Sequence, residues 1–483
     1  MDNLSLYFLL ICLSLCIFLI YKSKPANPQF PPGKTGWPVI GETLDYLINA
    51  RHGVPDKFVI KRMKTYSPDV FQTSLLGDRM AVFCGASGNK FIFSTGNKFV
   101  QAWWPRSLKQ ALLFPETHDN SYNEESCILR SFLRDFLRAE ALKDYIPVMD
   151  SMAKEHLEAE WLPYKEVKVF PQVKTYIFAL ACRMFMSIKD PVHVKRVKDL
   201  FDVVAAGVFS LPVNIPGTAF NRAFRGGKIM REEFLAIIKQ RRSELLENKG
   251  TEEAGMDLMS RMLLGLDHDH QEGGTLDEMK IANRIMGLLI AGYDTTTISL
   301  TAIVNYLAEN PNIYDKVLRE QMEIAKSKIP GELLNWGDVQ KMKYAWCVAC
   351  ESMRLSPPVQ GTFKEVTTDF TYAGFIIPKG WKTHWTVHST YKDPKYFPDP
   401  GKFDPSRFEG QGPPPYTFVP FAGGPRMCPG KEYARFEILV FVHNLVTKFQ
   451  WEKVIPDEKI IYIPNVTPEN GLPVRLLPHQ NYE

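Results

Sequence analysis

The sequence predicts a mainly α domain with a small β-sheet region, set behind an N-terminal transmembrane helix. Three observations carry that expectation. Residues 4–20 form an apolar run without a charge, about long enough to cross a hydrocarbon core as a helix. From Asp56 onward apolar residues recur mainly at helical spacing, and strand-like alternation is confined to residues 71–75, 79–84 and 371–377. No linker-like composition interrupts the chain between residue 50 and the C-terminus, so the bulk of the 483 residues reads as one large domain.

Each element follows from its residues. Lys22 and Lys24 come directly after the apolar run, and basic residues at that end keep the remainder of the chain on the cytosolic side. A cleaved signal peptide is the rival reading; against it stand the length of the run, the lack of a basic start and the absence of a small-x-small cleavage site. Two of the eight cysteines fall in this segment and the other six show no disulfide-framework spacing. Residues 1–24 are therefore expected to be an uncleaved anchor. Pro25, Pro28, Pro31, Pro32 and Pro38 make residues 25–41 a stiff, extended hinge, and residues 42–483 form the domain proper. The composition is ordinary for a globular protein, and a net charge of +4 spread among acidic residues excludes nucleic acid as a partner.

One helix stands out. Thr275 and Glu278 have capping-box spacing, and an apolar run from Ile281 lasts until Asn310 and Pro311 stop it, about 33 residues or about 50 Å. Midway stands Ala-Gly-Tyr-Asp-Thr-Thr, residues 291–296. Glycine costs roughly 1 kcal/mol against alanine in a helix interior. Close helix packing accounts for Gly292 as well as room for a flat ligand does; in the second case Ala291 and Gly292 clear the space while Asp294 and Thr295 offer an acid and a hydroxyl.

Further on, Glu351 and Arg354 share one face of a helix among apolar neighbours, so they are expected to be a buried pair with Arg407 as an additional cation. Their role reads as structural. Cys347 and Cys350 have no second cysteine pair or histidine cluster near them in sequence, which favours helix-core cysteines over zinc.

The segment Phe421-Ala-Gly-Gly-Pro-Arg-Met-Cys428-Pro-Gly430 precedes the last long helix. A thiol at a helix N-terminus is favoured as thiolate. The glycines Gly423, Gly424 and Gly430 read as clearance for a large planar group, and Arg426 as a fork for carboxylates. A single thiolate suits a cofactor that brings its other ligands, as haem does. A catalytic nucleophile remains a rival because ten histidines are available.

Phe421, Gly424, Arg426, Cys428 and Gly430 reproduce the F-x-x-G-x-R-x-C-x-G loop, and residues 291–296, the pair Glu351 and Arg354, and Arg407 supply three more signatures in order. Together they resemble the cytochrome P-450 superfamily over essentially the whole chain. The segments PPGKTGWPVIGETL, QAWWP, PKGWK and KFDPSRFEG are similar to the plant subgroup that oxidises triterpenoids, with taxane hydroxylases as more distant relatives. The resemblance implies one cytochrome P-450-type domain holding haem b, with iron ligated by Cys428. It implies protons delivered by Asp294 and Thr295, a haem seat that includes Ala291, Gly292, Phe421 and Gly430, and haem carboxylates met by Arg130, Lys364 and Arg426. It places substrate against Trp103, Trp104, Phe209, Leu288, Val359, Thr362 and Ile463. It implies single-pass residence in the endoplasmic reticulum membrane, O2 as co-substrate and NADPH electrons from a separate cytochrome P-450 reductase. Cytochrome b5 is a further candidate donor, and Lys431 and Arg435 are candidate docking residues beside the more ordinary reading of a solvated helix face.

Three residues depart from the subgroup. Ala422 stands where glycine is usual, and its methyl is expected beside the haem with a slight effect on tuning. Lys364 replaces arginine, and Ser126 replaces a tryptophan four residues before Arg130. The expected activity is oxidation of a C–H position in an amyrin- or dammarane-type triterpenoid. The alternatives are a haem-thiolate isomerase or dehydratase without O2, oxidation of a diterpene or taxane-like compound, and a non-enzymatic haem scaffold; the acid and alcohol at 294 and 295 speak against the isomerase.

Overall fold

The computed structural model describes residues 12–14, 27–37, 40–75, 77–95, 98–104, 130, 133, 136–208, 210, 213–247, 257–268, 278–462 and 466–479. Its principal helices are α1 (Thr43–Arg51), α2 (Asp56–Thr65), α3 (Gly85–Ser94), α4 (Ile146–Glu160), α5 (Val169–Met186), α6 (Pro191–Val208), α7 (Ala219–Glu247), α8 (Leu258–His268), α9 (Glu278–Glu309), α10 (Pro311–Lys326), α11 (Lys343–Leu355) and α12 (Lys431–Lys448).

The longest, α9, runs 32 residues and is buried along most of its length. It ends where Asn310 breaks helical geometry and Pro311 begins α10 at a position that needs no N–H. Its apolar face joins α4, α5 and α12 in the main core, where Phe178, Phe201, Phe441 and Trp161 are almost wholly buried. Among the described residues α9 is the one helix long and apolar enough to cross a membrane, yet most of it is packed inside the domain. The expected anchor lies outside the described residues apart from 12–14, and so does Thr275.

The strands are β1 (Val70–Leu75), β2 (Asp78–Phe83), β3 (Val100–Ala102), β4 (Glu166–Lys168), β5 (Gly361–Val366), β6 (Phe370–Tyr372), β7 (Phe375–Ile377), β8 (Lys382–Thr386), β9 (Phe449–Lys453), β10 (Ile460–Ile461), β11 (Thr467–Pro468) and β12 (Pro473–Pro478). A five-stranded sheet has the order β1-β2-β8-β5-β3. The first two predicted strands match β1 and β2. The third proves to be a hairpin, because Ala373 and Gly374 take positive φ and reverse the chain between β6 and β7. β5 and β8 escaped the reading; Lys364, Lys382 and His384 give them too much polarity for a buried strand.

Residues 30–33 are docked on this sheet. Gly33 pairs with Gln72 of β1, where a Cβ would meet the Gln72 carbonyl at 2.0 Å. Phe30 sets its ring edge-on to Trp381 at 5.3 Å. The second apolar cluster, around Phe83, Phe93, Trp385 and Tyr391, packs α3 against the same sheet.

Candidate functional site

The segment before α12 is a tight reversal. The Cys428 N–H donates to the Phe421 carbonyl at 2.9 Å and the Met427 N–H to the Gly424 carbonyl at 3.0 Å, which leaves the Cys428 side chain exposed ahead of the helix. Partial withdrawal of its sulfur from water pushes the Cys428 thiol up, while the Gly430 N–H and the positive charge of Arg130 pull it down. A coordinated metal ion deprotonates such a thiol outright.

The glycines divide into two kinds. Gly423 and Gly424 lie against α3: a Cβ at Gly423 would come within 2.8 Å of the Phe93 ring, and one at Gly424 within 2.0 Å of the Phe93 carbonyl. Their demand is contact with protein, not clearance for a planar group. A Cβ at Gly430 would meet only the Cys428 sulfur, at 3.9 Å, so that position does leave room. Ala422 has φ 57°, a left-handed conformation that costs a residue with a Cβ about 1 kcal/mol. Its methyl packs with the sheet-side cluster, so the departure from glycine acts on the backbone.

Three cations from distant segments meet beside this loop. Arg130 donates to the Met427 carbonyl at 3.0 Å, Arg426 sits in the turn Gly424–Arg426, and Lys364 comes from β5, its ammonium 3.4 Å from the Ile92 carbonyl. Burial, reinforced by the charges of Arg426 and Arg130, pushes Lys364 down to about 8. Such crowding of like charge suits an anionic ligand.

On α9, Ala291 is exposed although the helix is otherwise largely buried, and a Cβ at Gly292 would touch nothing within 4 Å. The choice left open by the sequence is settled: Gly292 faces open space, not a packed helix. The Thr295 hydroxyl donates to the Ala291 carbonyl at 2.8 Å. The Asp294 carboxylate pairs with Lys174 of α5 at 3.3 Å.

Glu351 and Arg354 are fully buried and joined by two hydrogen bonds of 2.7 and 2.8 Å. Arg354 spends its other donors on the carbonyls of Tyr391, Pro400 and Lys402, and Arg407 approaches Glu351 at 3.4 Å as expected. Cys347 and Cys350 are buried, free helix-core thiols.

Of the substrate candidates, Trp103 sets its ring edge-on to Phe363 at 6.0 Å, with the Lys382 ammonium 5.2 Å from its face. Trp104 is exposed. Leu288 and Val359 are half-buried, and the Thr362 hydroxyl accepts the Trp385 indole N–H at 2.7 Å. Phe209, Ile463 and Ser126 lie outside the described residues. Arg435 is half-buried and pairs with Glu432 of its own helix at 3.3 Å.

Two groups were missed. Lys174 sits inside an apolar helix pattern and announces nothing about its partner. Glu437 stands inside the apolar stretch of α12, a charge where none belongs, and that was a usable signal. It is almost wholly buried; burial pushes its carboxyl up to about 8, the Thr296 hydroxyl acting the other way, and neither oxygen completes a well-formed hydrogen bond.

The geometry can be set beside known proteins. The cytochrome P450 family model matches residues 31–472. The chain belongs to the cytochrome P450 family. Beta-amyrin 6-beta-monooxygenase of Solanum lycopersicum is 53% identical over 98% of each chain, and beta-amyrin 28-monooxygenase of Vitis vinifera is 53% identical over 99% of this chain and all of that one. The solved structure of cyanobacterial CYP120A1 with retinoic acid bound superposes with a TM-score of 0.79 at 31% identity, over 93% of this chain and 99% of that one. Membership in this family means haem with cysteine-ligated iron and electrons from a reductase. The residues of this cytochrome P450 fit that group: an accessible thiol, open space over Gly292 and three converging cations suit iron, macrocycle and carboxylates in turn.

Proposed function

We propose that this cytochrome P450 oxidises a C–H position of an amyrin-type triterpenoid at the endoplasmic reticulum membrane, held there by residues 1–24, with the hinge at 25–41 and the catalytic domain at 42–483 on the cytosolic side. NADPH-cytochrome P-450 reductase supplies the electrons, and cytochrome b5 is a second donor. The observation that carries the reading is the 52–53% identity to beta-amyrin monooxygenases along nearly the whole chain.

The bound haem supplies O2 activation: one oxygen atom enters the substrate C–H bond and the other leaves as water, at the expense of two electrons from NADPH and two protons. The protein's own part is positional and protic. The Cys428 sulfur would hold the haem iron, and the Gly430 N–H and Arg130 favour its charged form. Arg130, Lys364 and Arg426 receive the haem carboxylates. Ala291 and Gly292, with Phe421 and Gly430, would leave room for the flat group.

Thr295 holds a donor and acceptor hydroxyl on the same helical turn, at present directed to the Ala291 carbonyl, and Asp294 is the carboxylate that passes protons inward from the side of α5. Glu351, Arg354 and Arg407 fix the floor beneath the thiol loop. Trp103, Trp104, Leu288, Val359 and Thr362 contribute a mainly apolar wall suited to a rigid hydrocarbon skeleton.

The test is turnover of microsomes containing the enzyme and a plant reductase with 18O2, NADPH and a panel of triterpene skeletons. The reading expects one 18O atom in the first product from an amyrin-type skeleton. Consumption of diterpenes but of no triterpene would overturn it.

A further inference from the structure

Two segments at one end of the molecule are each held firmly, and by different neighbours. Residues 359–362, which lead into β5, lie on β8: the Gln360 carbonyl accepts the Val387 N–H at 3.2 Å and the Thr386 hydroxyl at 3.1 Å. Gly361 takes φ 146°, and a Cβ there would meet the Trp385 carbonyl at 2.0 Å. Tyr462, just after β10, donates its N–H to the Ala50 carbonyl of α1 at 3.2 Å, and it packs in a small apolar cluster with Ile298 of α9 and Val466. Ala291, Thr295 and Ile298 share one face of α9, so Tyr462 borders the stretch of that helix where Ala291 is exposed.

One side chain joins the two segments. The Gln360 amide nitrogen donates to the Tyr462 carbonyl at 3.4 Å, and the amide oxygen lies 3.0 Å from Nε2 of His388. A carbonyl only accepts, so the nitrogen must face Tyr462; the oxygen then faces His388, whose Nε2 must carry the proton. His388 is buried, and that burial pushes its ring down to about 3, which keeps it neutral.

We propose that Gln360, oriented by His388, is a positioning residue that sets the separation between residues 359–362 and Tyr462, and through it which C–H bond of the substrate is presented for oxidation. The proposal rests on the reading of this enzyme as a triterpenoid monooxygenase with Val359 and Thr362 in its substrate wall. A rigid polycyclic skeleton cannot bend to follow a displaced wall, so a small shift of one wall moves all its carbons together. With the amide bridge in place the two segments keep one spacing and one carbon is favoured. Without it Tyr462 keeps its bond to α1 but loses its tie to β5, the spacing spreads, and neighbouring carbons compete. His388 acts through Gln360: it occupies the amide oxygen and prevents the flip that would turn that oxygen towards the Tyr462 carbonyl.

The test uses holoenzyme in microsomes with reductase and β-amyrin. Gln360→Met keeps the length of the side chain and gives up both hydrogen bonds. It is expected to lower the ratio of the main product to its positional isomers about fivefold, the worth of one hydrogen bond, and to speed amide exchange in residues 460–462 by a similar factor. His388→Phe should change both in the same direction by less, and His388→Gln, which returns an N–H donor, should lie nearer wild type. Haem content and the spectrum of the reduced carbon monoxide complex should stay as in wild type. A wild-type isomer ratio in Gln360→Met overturns the proposal, and so does a ratio that falls only together with haem content. A wild-type enzyme that oxidises no triterpene overturns the substrate reading instead; exchange then decides the bridge, which falls if Gln360→Met leaves it unchanged.

Discussion

The charge cluster around Arg354 and the one around Lys364 use the same residue types for opposite ends. At Arg354 every donor is answered from within the protein: both Glu351 oxygens and three carbonyls, with Arg407 as the outer cation. At Lys364 three cations converge, and burial, with the charges of Arg426 and Arg130 added to it, depresses the Lys364 ammonium. A buried cluster that closes on itself holds a fold. One that crowds a single sign of charge is shaped for a ligand of the other sign.

The comparison is broken most forcefully at Arg354. Arg354→Ala leaves Glu351 buried without its principal cation, a loss of about 3–5 kcal/mol; the expected result is no folded holoenzyme in the microsomal membranes, read from haem absorbance per unit protein. Glu437 sharpens the contrast from a third side, a lone buried carboxyl that avoids its charge by keeping a proton. Its folded pKa of about 8 lies above the unfolded value, so its folded form is unpenalised below about pH 4.5 and loses stability as pH rises towards 8. Glu437→Gln should remove that slope, gaining on the order of 5 kcal/mol over wild type at the alkaline end and nothing at the acid end, measured as Tm against pH.

Much of this was legible beforehand, for reasons that differ by residue. The Cys428 loop, the pair Glu351 and Arg354 with Arg407, and the long helix through Gly292 announce themselves because each needs unusual residues at fixed spacing. Gly423 and Gly424 misled, since a glycine signals a close approach without saying to what, and here the neighbour is Phe93. Lys174 was illegible because its partners lie on helices far away in the chain, and β5 and β8 because strands that carry Lys364, Lys382 and His384 among their apolar residues show no clean alternation.

A smaller effect tests the ligand-facing cluster. Lys364→Arg restores a planar fork, and haem transfer to an acceptor protein should slow by about threefold to tenfold; Lys364→Met should speed it by a similar factor. The smallest is Ala422→Gly, which relieves the left-handed backbone at φ 57° and should stabilise the holoenzyme by about 0.5–1 kcal/mol, seen as a slightly raised Tm with the haem spectrum unchanged.

The central claim is that Cys428 supplies the thiolate to a haem seated between α9 and the loop before α12. It is tested most directly by the absorbance of the reduced, carbon monoxide-treated protein in wild type and Cys428→Ala. The account predicts the long-wavelength band of a thiolate complex in wild type and its loss in the variant. Persistence of that band in Cys428→Ala would contradict it.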